Sequence, residues 1–138
     1  HAVDRVMAFC RKLGPFDGAF GFSQGASLLT RVLGQDAKGE VPLDFVILAH
    51  STYGGSVFHG TFPSRITVPS IHIIGINDDV KPISEETAKQ YESGPDRLVL
   101  YHEGRHELPR DLSINVSFQA RLKHGLQRFL TKSLDHVP

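Results

Sequence analysis

The chain has one cysteine, one methionine and no tryptophan in 138 residues, and its 15 Lys and Arg are balanced by 15 Asp and Glu. The lone Cys10 excludes an internal disulfide and fits a reducing, cytoplasmic compartment. Without a net charge there is no general field to draw in nucleic acid or an anionic membrane surface, so neither is expected as a partner. No apolar run is long enough to span a bilayer. No repeat or low-complexity tract interrupts the sequence. What remains is an ordinary soluble composition, 40% hydrophobic, of a length suited to one domain over residues 1–138.

The apolar residues fall into alternating periods. Val3, Val6, Met7, Cys10 and Leu13 share one face of a helix over residues 2–13, which Gly14 and Pro15 then stop. Ala19–Phe22 reads as a short strand, and Gln24–Leu33 as a helix with Ala26, Leu29, Val32 and Leu33 on one side. The run FVILAHS from Phe45 is continuously apolar, as a parallel strand covered on both faces is. SIHIIG at 70–75 and RLVLYH at 97–102 repeat that character. Ser84, preceded by Ile83, is expected to cap a helix through EETAKQYE. Phe118, Leu122, Leu126, Phe129 and Leu130 place a stripe on a closing helix. Buried strands alternating with helices predict a three-layer α/β sandwich with a mainly parallel sheet. Ser51–Pro69 is expected to be a loop over the carboxyl ends of the strands, where ligands bind in such sheets.

Gly21, Ser23 and Gly25 form G-x-S-x-G between the first strand and the second helix. In that context the pattern is a sharp turn that lifts a nucleophilic serine above the sheet. A serine hydroxyl is a weak nucleophile at neutral pH; it needs a histidine to take its proton and a carboxylate to hold that histidine in the correct tautomer. Hydrolases with this turn order the three as Ser, then Asp or Glu, then His, on loops after successive strands. GINDDV follows SIHII and offers Asp78 or Asp79, of which Asp78 comes first after the glycine turn. HEGRHELP follows RLVLY and offers His102 or His106. His102 is expected to pack at the strand end and His72 to be a satisfied core histidine, while His50, His59 and His124 carry no assignment. His102 to His106 also spells H-E-x-x-H, a zinc signature when both histidines lie one turn apart on a helix. Here a β-rich run precedes it, Gly104 interrupts it and Pro109 follows, so no metal is expected.

GPFDGAFGFSQGASL, PSIHIIGINDDVKPISEETAKQY and YHEGRHELPRD together resemble the FSH family of serine hydrolases, a branch of the α/β-hydrolase superfamily. The resemblance covers most of the chain. It implies Ser23 as nucleophile, Asp78 as acid, His106 as base and the backbone N–H of Gln24 as one oxyanion donor, with Gly21 and Gly25 shaping the turn. It implies esterase or acyl-thioesterase activity on a small-molecule substrate, with no cofactor. Arg105 replaces the second glycine of the family's H-x-G-G-H loop, a change expected to narrow the pocket or alter how His106 is presented. Tyr53, Phe58 and Phe62 are candidate pocket walls, or residues packed beneath their own loop.

Family members carry strands and an H-G loop ahead of the elbow, and that loop supplies the second oxyanion donor. The expectation is therefore a truncated α/β-hydrolase fold, the C-terminal part of a longer domain. The strand entering Ser23 should lie at an uncovered edge, to be completed by an N-terminal segment or a second subunit beside residues 18–22. The competing expectation is a catalytically silent hydrolase-like fragment, or a binding module, without a complete oxyanion hole.

Overall fold

Val, Ile, Leu and Phe cluster in four short runs, and each run becomes a strand of a single parallel sheet. A computed structural model describes residues 2–36, 39, 41–52, 62, 64–110 and 116–135. In chain order the elements are α1 (Ala2–Leu13), β1 (Phe16–Phe22), α2 (Gln24–Gln35), β2 (Leu43–Ala49), β3 (Ser70–Gly75), α3 (Lys81–Lys89), β4 (Arg97–His102) and α4 (Val116–Leu134). The sheet order is β1-β2-β3-β4. The register sets Phe22 beside Ala49, Ala49 beside Ile73 and Gly75 beside His102, so all four carboxyl ends finish on one rim.

Alternation along β2 divides the core between the two faces. Val46 and Leu48 join Val3, Cys10, Ala26, Leu29, Val32 and Leu33 beneath α1 and α2. Phe45 and Ala49 join Ile71, Ile73, Leu100, Phe118 and Phe129 beneath α4. Helices on both faces explain why β3 is buried at every position and reads as an unbroken apolar run. His72, inside that strand, bonds through Nε2 to Ser70 Oγ at 2.9 Å and stacks edge-on against Tyr91. Burial, aided by the charge of Arg97, pushes its pKa down to about 3, so it is a neutral core residue.

Three local expectations need correction. β1 starts at Phe16 rather than Ala19, because the Phe16 N–H already pairs with the Pro42 carbonyl at 3.2 Å. α3 starts at Lys81 with Val80 in the capping position, and Pro82 lies in its first turn, where a missing N–H costs nothing. Ser84 is therefore interior to α3, buried, and its hydroxyl donates to the Ser51 carbonyl at 3.0 Å. On α4, Leu130 lies outside the buried stripe and is 45% exposed.

β1 is an outer strand, with Phe20 and Phe22 exposed. An apolar hollow of about 340 Å³ opens beside it, lined in part by Val6, Phe9, Cys10, Phe16, Ala19 and Leu28. No helix among the described residues is long and apolar enough to cross a membrane.

Candidate active site

The end of β1 turns into α2 through Ser23, whose φ of 57° and ψ of −118° lie outside the regions L residues favour. Its N–H donates to Ala49 at 2.8 Å, and its carbonyl accepts from Ala26 at 3.1 Å. The turn is tight enough that a Cβ on Gly21 would lie 2.7 Å from Ala26 Cα, so glycine is required there. At Gly25 a Cβ would meet nothing within 4 Å, and packing makes no such demand. Gln24 opens α2, and the first amides of a helix have no partner within it. Its N–H is thus available to an anion, assisted by the positive end of the helix dipole.

Asp78 follows β3 through a turn in which its N–H donates to Gly75 at 3.2 Å. Its Oδ1 accepts the Val80 N–H at 3.0 Å and its carbonyl accepts the Lys81 N–H, so the same residue launches α3. The side chain is 3% exposed, whereas Asp79 points to solvent. Burial pushes the Asp78 carboxyl upward, but the Val80 N–H and the His106 and His50 side chains outweigh it and hold the group below its usual value.

His106 lies on the loop after β4. The loop is laced to the one after β3: Ile76 N–H donates to His102 at 2.8 Å, Asn77 N–H to Gly104 at 3.1 Å, and Asn77 Nδ2 to Glu103 at 2.6 Å. The Arg105 carbonyl lies against Gly75, where any Cβ would collide with it, and the Arg105 side chain is exposed. From this loop His106 Nδ1 bonds Asp78 Oδ2 at 2.8 Å and Nε2 reaches Ser23 Oγ at 2.9 Å. The three residues singled out in the sequence meet in one hydrogen-bonded line. That line can draw a proton from the serine and hold the resulting imidazolium against a carboxylate.

Two further histidines stand behind this line. His50, directly after β2, is fully buried and bonds Asp78 Oδ2 through Nδ1 at 3.0 Å. His102 Nε2 lies 3.2 Å from His50 Nε2. Burial lowers both pKa values, although Asp78 partly opposes this, so both rings are neutral at pH 7. The usable signal in the sequence was register: a histidine ending the strand next to the serine strand must arrive on the same rim. His102 ends a strand and bends follow it, so H-E-x-x-H lacks the helix that would aim both rings at one ion. Ligand atoms of His50, Asp78 and His106 do lie within 4.8 Å of one another. Both Nδ1 atoms, however, are spent on the same carboxylate oxygen, the arrangement of two N–H donors on an acceptor rather than of ligands around a cation.

Phe62 packs among Leu33 and its neighbours and against Gly34, near the far end of α2 from Ser23. It packs on α2 and not at the site. Tyr53, Phe58 and His59 fall outside the described residues.

The sequence matches the family described as Serine hydrolase (FSH1) over residues 1–118. It is 39% identical over 113 residues to the protein named Esterase OVCA2 of Homo sapiens, covering 78% of this chain and 49% of that protein. It is 31% identical over 125 residues to Esterase CG5412 of Drosophila melanogaster, covering 87% and 44%. With Esterase C25G4.2 of Caenorhabditis elegans it shares 31% over 142 residues, covering 97% and 59%. The chain spans about half the length of the curated relatives it matches.

Proposed function

The chain belongs to the FSH1 serine hydrolase family, and on that premise we propose that it cleaves carboxylic esters or acyl thioesters through an acyl-enzyme on Ser23. The observation that carries the reading is the 2.9 Å contact from His106 Nε2 to Ser23 Oγ, backed by the 2.8 Å bond from Nδ1 to Asp78. Ser23 Oγ attacks the carbonyl carbon while His106 Nε2 accepts its proton. The oxyanion is received by the Gln24 N–H, and the imidazolium is balanced by Asp78. His106 returns the proton to the departing alcohol or thiol, and water repeats the sequence to free the acid. The esterase names of the relatives support this reaction class. No cofactor enters these steps. A free, buried Cys10 suits a cytoplasmic setting.

We further take residues 1–138 as one domain whose exposed β1 edge receives an additional segment or second subunit, which brings the second oxyanion donor. The exposure of Phe20 and Phe22 supports this. The same open edge favours a second reading, a hydrolase-shaped module without a complete oxyanion hole. Labelling with a fluorophosphonate probe separates the two. Labelling by the native chain that disappears in Ser23→Ala is the expected result. A folded native chain that stays unlabelled even with its β1 edge completed would sink the enzymatic reading and leave the silent one.

A further inference from the structure

Asp78 Oδ2 has two imidazole partners, and the reading of Ser23, His106 and Asp78 as a triad uses only one of them. The other, His50, begins a chain of bonds whose protons can be placed one after another. The Gly104 N–H points at His102 Nδ1 at 3.0 Å, so that nitrogen is an acceptor and neutral His102 carries its proton on Nε2. The Nε2–H must then donate across the 3.2 Å to His50 Nε2. His50 is left with its proton on Nδ1, aimed at Asp78 Oδ2 at 3.0 Å. The carboxylate so held accepts Nδ1–H of His106, which frees His106 Nε2 to accept from Ser23.

The backbone around His50 is built to keep it there. Its φ is 52°, a conformation unfavourable for a residue with a Cβ that persists only where the surroundings impose it. The surroundings do so from three sides. The His50 N–H bonds Ile73 at 3.0 Å, Ser84 from α3 takes the Ser51 carbonyl at 3.0 Å, and Ser27 from α2 takes the Thr52 carbonyl at 2.7 Å. The titratable groups facing His50 are Asp78 after β3, His102 at the end of β4, and His106 on the loop beyond. The Glu107 carbonyl also faces the ring, and the Glu107 carboxylate acts on His102. From β1 comes only the Phe22 ring, 5.6 Å away.

We infer that His50 and His102 are positioning residues, a relay that holds Asp78 as an oriented carboxylate behind His106, with the Gly104 N–H setting the tautomer of each ring. Imidazole ¹⁵N NMR of the native chain tests it directly. The expected spectrum has His102 protonated on Nε2 and His50 on Nδ1; a proton on His50 Nε2 or His102 Nδ1 would overturn the relay.

Labelling kinetics provide the second arm. His50→Leu removes the donor to Oδ2, and a charge-assisted bond of that kind corresponds to roughly tenfold in labelling rate. With one donor fewer, Asp78 binds a proton more readily, so the acid limb of the rate–pH profile should move to higher pH. His50→Asn tolerates the positive φ and offers an N–H near the Nδ1 position, so it should regain most of the rate and the native limb. A folded His50→Leu with native rate and an unshifted limb would refute the relay. This proposal rests on the triad reading, yet the two fail differently. Loss of labelling specificity for Ser23 would defeat the triad, while the tautomers decide the relay without any reaction.

Discussion

Ser23 holds its hydroxyl against His106 from a backbone conformation that L residues resist. At φ 57° and ψ −118° its Cβ is strained, and that strain lifts the hydroxyl toward His106. Ser23→Gly should therefore be more stable by up to about 1 kcal/mol in urea unfolding, since relief of strain exceeds the added freedom of the unfolded chain, while labelling is abolished. An unchanged or lower unfolding midpoint would show that the turn is relaxed. Sequence spacing was enough to single out Ser23 and Gly21, because a strand–helix turn this tight has few chemical solutions. It left Asp78 and Asp79 open, and burial separates them only in three dimensions. His50 carried no motif to mark it as a participant, only its place directly after β2, and its partners lie 28 and 52 positions away.

At the scale of elements, β3 could be read to the residue because it is buried at every position between helices, and β4, half-buried at the other margin of the sheet, because its short run of Leu98, Val99 and Leu100 stands out from its flanks. β1 was harder to delimit. Asp17 looks like a loop residue, but Ser133 of α4 lies 3.1 Å from its carboxylate and 2.6 Å from that of Asp44, a tertiary arrangement that no local pattern announces. The start of α3 was misplaced for a similar reason: Asp78, the carboxylate of the site, makes the turn that begins the helix, so Ser84 was never needed as a cap. The packing of α4 on β2 rests on Phe129, 1% exposed and tilted against Phe45 at 6.2 Å. Phe129→Ala should cost about 3–5 kcal/mol in denaturant unfolding. A loss below about 1 kcal/mol would mean that α4 is a replaceable cover.

At the scale of the whole molecule, the three histidines buried among the described residues contribute to the response to acid. His72, His50 and His102 are held neutral when folded, with His72 pushed down to about 3, whereas unfolded histidines titrate near 6.5. Below that value the unfolded chain binds more protons than the folded one, so stability is full above it and falls as the pH drops. For His72 alone the slope approaches about 1.4 kcal/mol per pH unit over the window down to about 3. The depressed pKa of Asp78 adds a loss of the same sign below the usual carboxylate range. Urea midpoints measured between pH 7.5 and 5 should hold near the top of that range and fall below about pH 6.5, less steeply in His72→Leu; parallel curves would place the acid sensitivity elsewhere.

The serine and the base hang from opposite margins of the sheet: Ser23 leaves β1 and His106 follows β4, with β2 and β3 between them. Three strand spacings, about 14 Å, separate those margins. The segment carrying His106 therefore closes over the rim like a clasp, seated on Gly75 and fastened at Ser23. On the proposed reading of Ser23 as nucleophile, bonding of its oxygen to an acyl or phosphonyl group would open the fastening. Hydrogen exchange before and after phosphonylation would register this as amides around Phe22 and along residues 103–107 changing together, two regions with no strand pairing in common.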